Sequence, residues 1–352
     1  MLKQYLSHIG PADACAAAEC RRRWDALAKP LHSLGLLEDA LCRVAAARGS
    51  ADLSLSNRAV VVFCADNGVV AQGVTQCGSD VTATVAREMA AGRGNINALA
   101  RCMEADVFPW DVGMLRDEPT VPAHKSAYGT ADLTLGPAMS REQAEDLICF
   151  GIEQAGRLKQ RGYDLLIGGE MGIGNTTTSA AVASVLLGRT PAELVGRGAG
   201  LSDAGLRRKL QAVERAIAVN RPAAGDPLDV LCKLGGFDIA ALCGLCLGGA
   251  MHRIPVILDG LITAVSALLA CRLAPDCRDY LLASHISREP AAELILNELG
   301  LIPLIHGDLA LGEGSGGVML LSLLDAAWAV YDQGSTFGRF GLEAYTPQDG
   351  QS

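Results

Sequence analysis

Six short runs of apolar residues recur along the chain, and ten or more residues with helical spacing follow most of them. Each run ends near a small or acidic turn residue, as buried parallel strands commonly do. The predicted strands are 59–64, 106–110, 164–167, 255–258, 280–283 and 302–305. The predicted helices are 80–102, 141–160, 202–220, 261–273, 290–299 and 316–331. This alternation predicts an α/β fold in which helices cover both faces of a mostly parallel six-stranded sheet.

The first fifty residues carry no strand signal. Residues 13–28 and 30–48 have the spacing of two helices with charged faces, and the chain from Phe337 onward is polar and irregular. We therefore expect a small helical domain at 1–50 that C-terminal residues complete, a large α/β domain at 51–336, and an irregular tail at 337–352.

The composition of the 352-residue chain favours a helix-and-sheet protein and argues against a general nucleic-acid-binding protein. Half of the residues are hydrophobic but only 4% are aromatic, which suits helices packed closely on a sheet. The net charge of −9 gives no basic face for general nucleic-acid binding.

The apolar segment 254–273 is interrupted by Asp259 and Gly260, so it predicts strand, turn and buried helix rather than a membrane span. The N-terminus lacks the apolar core of a signal peptide, and we expect a cytoplasmic protein without nucleic-acid or membrane partners.

The twelve cysteines are scattered through apolar helical segments. The C-x-x-C pair Cys243 and Cys246 lies in such a segment and has no second pair at zinc-finger spacing. We therefore expect buried structural thiols in preference to disulfides, redox chemistry or a metal site.

Three glycine-rich loops, at 168–178, 196–200 and 312–317, carry the clearest chemical signal. The first of them follows a predicted strand and leads into an Ala-rich helical segment. Glycines let backbone N–H groups approach an anion, and a helix N-terminus adds favourable dipole charge. Because parallel sheets bind ligands at the carboxyl ends of their strands, the loops predict a site for a phosphorylated small molecule there.

Several polar residues in and after these loops could contact such a ligand. Glu170 is either a first-turn acid favoured by the helix dipole or a carboxylate that faces the ligand. Asn175 and Thr176 suit both a helix N-cap and contacts to phosphate. Lys209 follows the loop that contains Arg197, so it either binds phosphate or lies in solvent like most helical lysines.

Glu313 is the clearest candidate for a catalytic group. Glycines enclose this acid just before an apolar helix, where it has no evident packing role. Near an apolar ligand its pKa could rise enough for it to accept a proton at neutral pH. Asp66 and Asp259, which follow other strands, either cap their own turns or bind ribose hydroxyls. His285 is expected to be a hydrogen-bonded turn residue rather than a catalytic base.

Several widespread catalytic motifs do not occur in this sequence. There is no Gly-Lys dipeptide and hence no Walker A loop, and neither H-E-x-x-H nor G-x-S-x-G occurs. Residues 172–177 form only a truncated dinucleotide fingerprint, which disfavours a dehydrogenase or another nucleotide-binding module.

Several strings of residues together resemble the nicotinate-nucleotide:dimethylbenzimidazole phosphoribosyltransferases, which activate the lower ligand of cobalamin. The longest are G-E-M-G-I-G-N-T-T at 169–177 and L-G-E-G-S-G at 311–316. Shorter matching strings lie at 65–69, 196–198, 226–230, 235–240 and 253–260. The similarity extends over roughly residues 30–335.

The resemblance implies a parallel six-stranded sheet, a small helical domain and usually a dimer. It also implies transfer of 5-phosphoribose from nicotinate mononucleotide to an aromatic acceptor, with release of nicotinate and without a metal or redox cofactor. Glu313 matches the family's catalytic base, whereas Glu170, Gly172 and Lys209 match residues around the ribose phosphate. The full set of candidate substrate-binding residues is Thr75, Gln76, Thr84, Glu170, Gly172, Gly174, Asn175, Thr176, Gly198, Lys209, Asp259, Gly312, Gly314 and Ser315.

The sequence departs from the family where the acceptor should bind. Family members commonly have Ser-x-Tyr-Pro where residues 75–78 of this chain are Thr-Gln-Cys-Gly. Many also have Val-Thr-x-Gln where residues 81–84 are Val-Thr-Ala-Thr, so Thr84 replaces the Gln. The His of the usual Asp-His-Gly is Asn67, and Glu-Pro-Gly-His becomes Glu-Pro-Ala-Ala at 289–292. Loss of the Gln side chain removes a polar partner that could orient a benzimidazole nitrogen.

The acceptor could therefore be 5,6-dimethylbenzimidazole or a phenol such as p-cresol. Some family members act on phenols as pairs of non-identical subunits, and the altered pocket motivates the hypothesis that this chain is a phenol-activating subunit. A homodimer or a heterodimer with a homologous subunit would then form. The alternative is a catalytically weak partner subunit, which the retained Glu313 and phosphate loops argue against.

Overall fold

The computed structural model describes residues 1–346. Five strands form within this range: β1 (Arg58–Ala65), β2 (Ala105–Gly113), β3 (Leu165–Met171), β4 (Val256–Leu258) and β5 (Leu281–Ala283). The α-helices are α1 (Leu2–Leu6), α2 (Ala14–Ala26), α3 (Leu36–Arg48), α4 (Asp80–Ala90), α5 (Asn95–Cys102), α6 (Arg141–Gln160), α7 (Asn175–Leu187), α8 (Pro191–Leu194), α9 (Asp203–Asn220), α10 (Pro227–Leu234), α11 (Phe237–Met251), α12 (Leu261–Leu273), α13 (Ala291–Leu299) and α14 (Ser315–Gln333).

The strands pair in parallel in the order β2-β1-β3-β4-β5. Every residue of β1 is buried, because this strand lies inside the sheet and is covered on both faces. Alternate residues of the strands belong to two separate cores. Val61 and Phe63 pack with α6, α10, α11 and α12, whereas Val60 and Val62 pack with α3, α4, α5 and α14. The predicted α/β class, with helices on both faces, is confirmed.

The prediction of a sixth strand at 302–305 is wrong, because this segment forms no strand. Only Ile305 forms a parallel bridge, with His285, and the side chain of Ile302 is 64% exposed. The segment contains Pro303, which has no N–H to donate to a neighbouring strand. The amides of Leu304 and Ile305 both donate to the Ser284 carbonyl. The Ile286 amide donates to the Ile305 carbonyl, so the hydrogen bonds are confined to this one bridge.

The predicted helix 80–102 is two helices, α4 and α5, separated by a short turn. Gly92 in this turn has a φ of +74°, which ends the first helix. The Asn97 side chain then accepts a hydrogen bond from the Gly94 amide at 3.0 Å and starts the second helix. The break creates a new helix N-terminus, and that terminus contributes a backbone donor to the candidate site.

The N-terminal helices pack beside α14. Trp24 of α2 is fully buried, and its ring centroid lies 5.2 Å from that of Tyr331. The helix predicted at 30–48 begins only at Leu36, because Gly35 precedes it with a φ of +53°. All twelve cysteines are free, and Cys243 and Cys246 are buried in α11. Within residues 1–346 no helix is both long and apolar enough to cross a membrane.

The C-terminal segment returns to α2. The Ala28 amide donates to the Ser335 carbonyl at 2.8 Å, and the Phe337 amide donates to the Ala26 carbonyl at 3.1 Å. In the tail predicted to be irregular, residues Gly338–Phe340 form a single short 3₁₀ helix. The rest of that predicted tail, 347–352, lies outside the described residues. The division into domains at 50 and 336 stays a prediction.

Candidate active site

A cavity of about 270 Å³ lies beyond the carboxyl ends of the central strands, where the three glycine loops meet. Eight of the predicted site residues line it: Glu170, Gly172, Asn175, Thr176, Gly198, Asp259, Gly312 and Glu313. Four other predicted residues adjoin the lining: Gly174, Gly314 and Ser315 lie close to Asn175 and Glu313 along the chain, and Lys209 donates to Thr176. The tertiary structure therefore brings the separate loops of the sequence to one place.

The three residues predicted from the altered acceptor region lie outside this lining. Thr75 is partly exposed and donates to the Cys77 carbonyl, while Thr84 is exposed and donates to the Asp80 carbonyl within α4. Gln76 contacts the carbonyls of Ala199 and Gly200 at the outside of the second loop. The neighbour of Thr84 on α4, Val85, lines the cavity instead. Roles for Thr75, Gln76 and Thr84 in acceptor binding stay predictions.

Glu313 lies at the cavity and is 6% exposed. Its carboxylate accepts a hydrogen bond from the Ile96 amide at 3.2 Å, at the N-terminal end of α5. Burial raises the pKa of Glu313, and this amide and the Asn95 side chain oppose the rise. The loop passes so close to β3 that a Cβ on Gly169 would lie 2.6 Å from the Glu313 carbonyl oxygen, so only glycine fits there. Glu313 is thus a buried carboxylate with a raised pKa, which makes it a better proton acceptor near neutral pH.

Asp259 follows β4 and supports the Glu313 loop. Its two carboxylate oxygens accept hydrogen bonds from the amides of Gly314 at 3.1 Å and Gly316 at 2.7 Å. Burial raises the pKa of Asp259 to about 7, although these N–H groups favour the charged form. These bonds come from a loop distant in sequence and not from the turn of Asp259 itself, which differs from the expected capping of its own turn. Contact with a ribose hydroxyl stays a prediction.

His285 lies beside Asp259, with Nδ1 at 4.0 Å from the carboxylate and 3.0 Å from the Ser284 hydroxyl. Burial lowers the pKa of His285 to about 4, so the ring is neutral at neutral pH. The expected hydrogen-bonded turn residue is confirmed, and the side chain also lines the cavity.

Glu170 stands at the end of β3 and faces the cavity, so its assignment to the first turn of a helix is wrong. The Asn175 amide nitrogen donates both to Glu170 and, at 2.9 Å, to Asp238 at the start of α11. Burial first, and the charge of Asp238 second, raise the pKa of Glu170 to about 8. Burial raises the pKa of Asp238 to about 6. Sequence reasoning did not select Asp238, whose one signal was its place in the matching string 235–240.

Lys209 is fully buried, so its placement in solvent is wrong. Its Nζ donates to the Thr176 hydroxyl and to the Gly196 carbonyl, both at 2.9 Å. Glu289, which sequence reasoning did not select as a site residue, lies with one carboxylate oxygen 3.9 Å from Nζ. Burial lowers the pKa of Lys209 to about 8 against the opposing effect of Glu289. A buried cation therefore lies behind the second glycine loop.

The first turn after β1 holds the loop 168–178. Asp66 accepts hydrogen bonds from the Thr82 hydroxyl at 2.6 Å and the Leu115 amide at 2.8 Å. Asn67 donates to the Ile173 carbonyl at 3.2 Å. Both bonds of Asp66 come from other segments, α4 and the residues after β2, and not from its own turn as expected. Asp66 lies outside the cavity lining, and contact with a ribose hydroxyl stays a prediction.

Known proteins resemble this chain over nearly its whole length. A family model described as Phosphoribosyltransferase matches residues 9–341. A nicotinate-nucleotide–dimethylbenzimidazole phosphoribosyltransferase of Ruminiclostridium cellulolyticum is 45% identical over 331 residues, which are 94% of each chain. One of Chloroflexus aggregans is 43% identical over 97% of this chain and 98% of its own. The crystal structure of CobT from Thermus thermophilus superimposes with a TM-score of 0.87 at 43% identity, over 93% of this chain and 99% of that one.

Proposed function

The chain belongs to the nicotinate-nucleotide–dimethylbenzimidazole phosphoribosyltransferase family, and on that premise we propose that its cavity transfers 5-phosphoribose from nicotinate mononucleotide to an aromatic acceptor. One observation carries the proposal: a single cavity joins the buried carboxylate Glu313 to a glycine loop backed by the buried cation Lys209. The first suits a proton acceptor and the second suits a phosphate.

In the proposed reaction the phosphate of the donor binds at Gly198 and the Lys209 side of the cavity. The ribose then extends toward Glu313, which faces the acceptor. Nicotinate leaves the anomeric carbon as a neutral ring nitrogen, so this step needs no general acid. Glu313 removes a proton from the acceptor as its nitrogen or oxygen attacks the anomeric carbon from the opposite face, which gives an α-linked ribotide. Alignment of acceptor and sugar by the phosphate contacts supplies much of the acceleration.

The acceptor we propose is 5,6-dimethylbenzimidazole. Relatives at 45% and 43% identity carry that base in their names, and the apolar side chains Val85, Ile173 and Leu311 at the cavity suit a planar ring. A phenol is the second candidate, because the sequence departs from the family at 75–78 and at Thr84. A phenol has a pKa of about 10, so it would require a stronger base than a benzimidazole does.

We further propose that the chain works as a dimer. Helix α14 follows directly after Glu313 and exposes Met319, Leu323 and Val330 at 38%, 37% and 39%, while Leu311 at the cavity is 50% exposed. Met319, Leu323 and Val330 recur at helical spacing along α14, and an exposed apolar helix face favours contact with another chain. Sedimentation of the purified chain distinguishes a homodimer from a monomer that awaits a homologous partner.

Incubation of the purified chain with nicotinate mononucleotide and separate acceptors tests the activity. The acceptors are 5,6-dimethylbenzimidazole, benzimidazole, phenol and p-cresol, and chromatography with mass detection follows nicotinate and the ribotide. We expect the benzimidazole ribotide from the chain alone. Phenolic ribotides without the benzimidazole product would select the second acceptor. If the chain forms no product alone but increases the turnover of a co-expressed homologous subunit, it is the catalytically weak partner.

A further inference from the structure

Glu289 is a buried carboxylate in the turn between β5 and α13. It is 9% exposed, and its Oε1 accepts a hydrogen bond from the Gly198 amide at 2.7 Å. Its Oε2 is buried without a hydrogen-bond partner and lies 3.9 Å from Lys209 Nζ. An unpartnered buried oxygen is costly unless a nearby charge compensates it, and Lys209 is the neighbouring cation.

The second glycine loop is built closely around this carboxylate. A Cβ on Gly196 would overlap Glu289 Oε2 and would lie 2.6 Å from Pro290 Cδ. Gly198 has a φ of +55°, which orients its amide toward Oε1. The Gly196 carbonyl accepts the bond from Lys209. Glu289 and Lys209 therefore hold the two ends of one short loop, which suits a loop that must keep a fixed shape.

Glu289 is also the carboxylate that faces Lys209. The ammonium group has three N–H donors, and two of them bind the Thr176 hydroxyl and the Gly196 carbonyl. The other charged groups on the neighbouring segments are engaged elsewhere: Arg197 with Asp203 at 2.5 Å, Arg208 with the Gly73 carbonyl at 3.1 Å, and Glu193 with Arg189 at 3.5 Å. Loss of the Glu289 charge would leave Lys209 buried without a counter-charge.

We propose that Glu289 is a positioning residue for the donor phosphate: it fixes the Gly196–Gly200 loop and supplies the counter-charge to Lys209 behind it. Glu289 lines the cavity, but a carboxylate repels a phosphate, so its proposed action runs through Lys209 and the Gly198 amide. This role rests on the proposed phosphoribosyl transfer, because it requires that a phosphate binds at the loop. Its consequence is that the affinity for the donor depends on pH through Lys209.

The direction of this dependence follows from the charge of Lys209. Burial lowers the pKa of Lys209 to about 8, and Glu289 opposes that effect. A neutral residue at 289 removes the opposition, so Lys209 loses its proton at a lower pH. Donor affinity would then be lost at a lower pH than in the unchanged protein. A purely structural role for Glu289 would weaken binding equally at every pH.

The test compares the unchanged protein with Glu289→Gln, Glu289→Asp and the control Glu293→Gln, whose exposed side chain lies on α13. KM for nicotinate mononucleotide and the affinity for ribose 5-phosphate are measured from about pH 6 to about pH 9. For Glu289→Gln relative to the unchanged protein we expect a loss of affinity within about threefold at the acid end and of at least about tenfold at the alkaline end. The phosphate and Glu170 titrate in all four proteins alike. Their effect therefore cancels when the affinity of each variant is divided by that of the unchanged protein at the same pH.

Glu289→Asp keeps the charge, so its donor affinity should fall at the same alkaline pH as that of the unchanged protein; we call this fall the alkaline limb. This variant also provides a measurement if Glu289→Gln fails to fold. An alkaline limb that stays in place in Glu289→Gln, or that moves equally in Glu289→Asp, overturns the positioning role while leaving the transfer reaction intact. If the unchanged protein forms no ribotide but binds ribose 5-phosphate with this Glu289 dependence, the transferase function fails and the positioning role stands. If it binds neither compound, both proposals are wrong.

Discussion

The Glu313 backbone has a φ of +64°, in the left-handed region that a glutamate rarely adopts. Gly312 and Gly314 on either side have φ values of +82° and +91°, so three successive residues share this conformation. A non-glycine residue held there costs about 1–3 kcal/mol, and the surrounding structure must compensate it. The bonds from the Gly314 and Gly316 amides to Asp259 supply that compensation. The loop thus keeps a carboxylate at the cavity in a conformation that local preference disfavours.

Replacement of Glu313 by Gln should remove the proton acceptor and leave the shape of the site nearly unchanged. We expect turnover to fall by on the order of 10² or more, with donor affinity close to that of the unchanged protein. Steady-state kinetics and calorimetric titration with nicotinate mononucleotide measure the two quantities. Glu293→Gln is the matched control and should turn over normally. Near-normal turnover in Glu313→Gln would show that proton removal occurs at another group.

Glu170 should contribute a pH dependence to folding stability. Its pKa is raised to about 8 in the folded protein, so the folded state binds this proton more tightly than the unfolded state does. The resulting contribution to the free energy of unfolding is present below the ordinary pKa of a glutamate, near about 4.3, and is lost as the pH rises toward about 8. Glu170→Gln cannot titrate. Its stability relative to the unchanged protein should therefore rise across that interval in denaturant unfolding measurements, and a difference independent of pH would contradict the shifted pKa.

Helices α6 and α11 approach each other through glycines, which places the start of α11 against the cavity. A Cβ on Gly151 would overlap the Ala241 carbonyl, and one on Gly244 would overlap the Ile148 carbonyl. A Cβ on Gly248 would lie 2.7 Å from the Ala155 side chain. Because α11 begins with Phe237 and Asp238, the close crossing of these helices also fixes the carboxylate that shares Asn175 with Glu170.

Gly244→Ala should therefore destabilise the protein although alanine is the better helix former. Overlap with backbone that cannot move aside costs typically about 1–3 kcal/mol, against a gain in helix propensity of about 1 kcal/mol. We expect a net loss of stability in denaturant unfolding and a smaller loss of turnover through Asp238. Gly225→Ala, where a Cβ has no atom within 4 Å, is the control and should change stability little. Equal effects at the two positions would rule out the close crossing as the cause.

At the scale of the whole molecule, the segment after α14 packs against the end of α2. The backbone bonds between 26–28 and 335–337 join α2 to the segment after α14, and Phe337 there is 6% exposed. Helix α14 therefore connects the Glu313 loop at its beginning with the N-terminal helices at its end. These contacts support the proposed helical domain that C-terminal residues complete.

Removal of residues 334–352 should loosen this region before the sheet. Loss of the Phe337 side chain and of two backbone hydrogen bonds corresponds to about 2–4 kcal/mol. We expect faster amide hydrogen exchange in α2 and α3, with exchange in α11 nearly unchanged. Uniformly faster exchange in the truncated protein would instead indicate one cooperative unit.

The sequence alone determined the α/β class, most strands and the loops of the site, because each of these features depends on residues close together in the chain. Apolar runs of strand length predicted β1 to β5, and the glycines beside Glu170 and Glu313 predicted loops that line one cavity. The pattern at 302–305 failed because pairing there is confined to the single bridge of Ile305 with His285, and Pro303 has no N–H to extend it.

The tertiary structure alone decided which polar groups meet. Asn175 and Asp238 are 63 positions apart, and Gly198 and Glu289 are 91 apart, so no local spacing connects them. The raised pKa values of Glu170 and Asp259 and the lowered one of Lys209 arise from burial, which depends on every element packed around the cavity. A chain segment encodes its own conformation, whereas the charge state of a side chain depends on neighbours that only folding brings together.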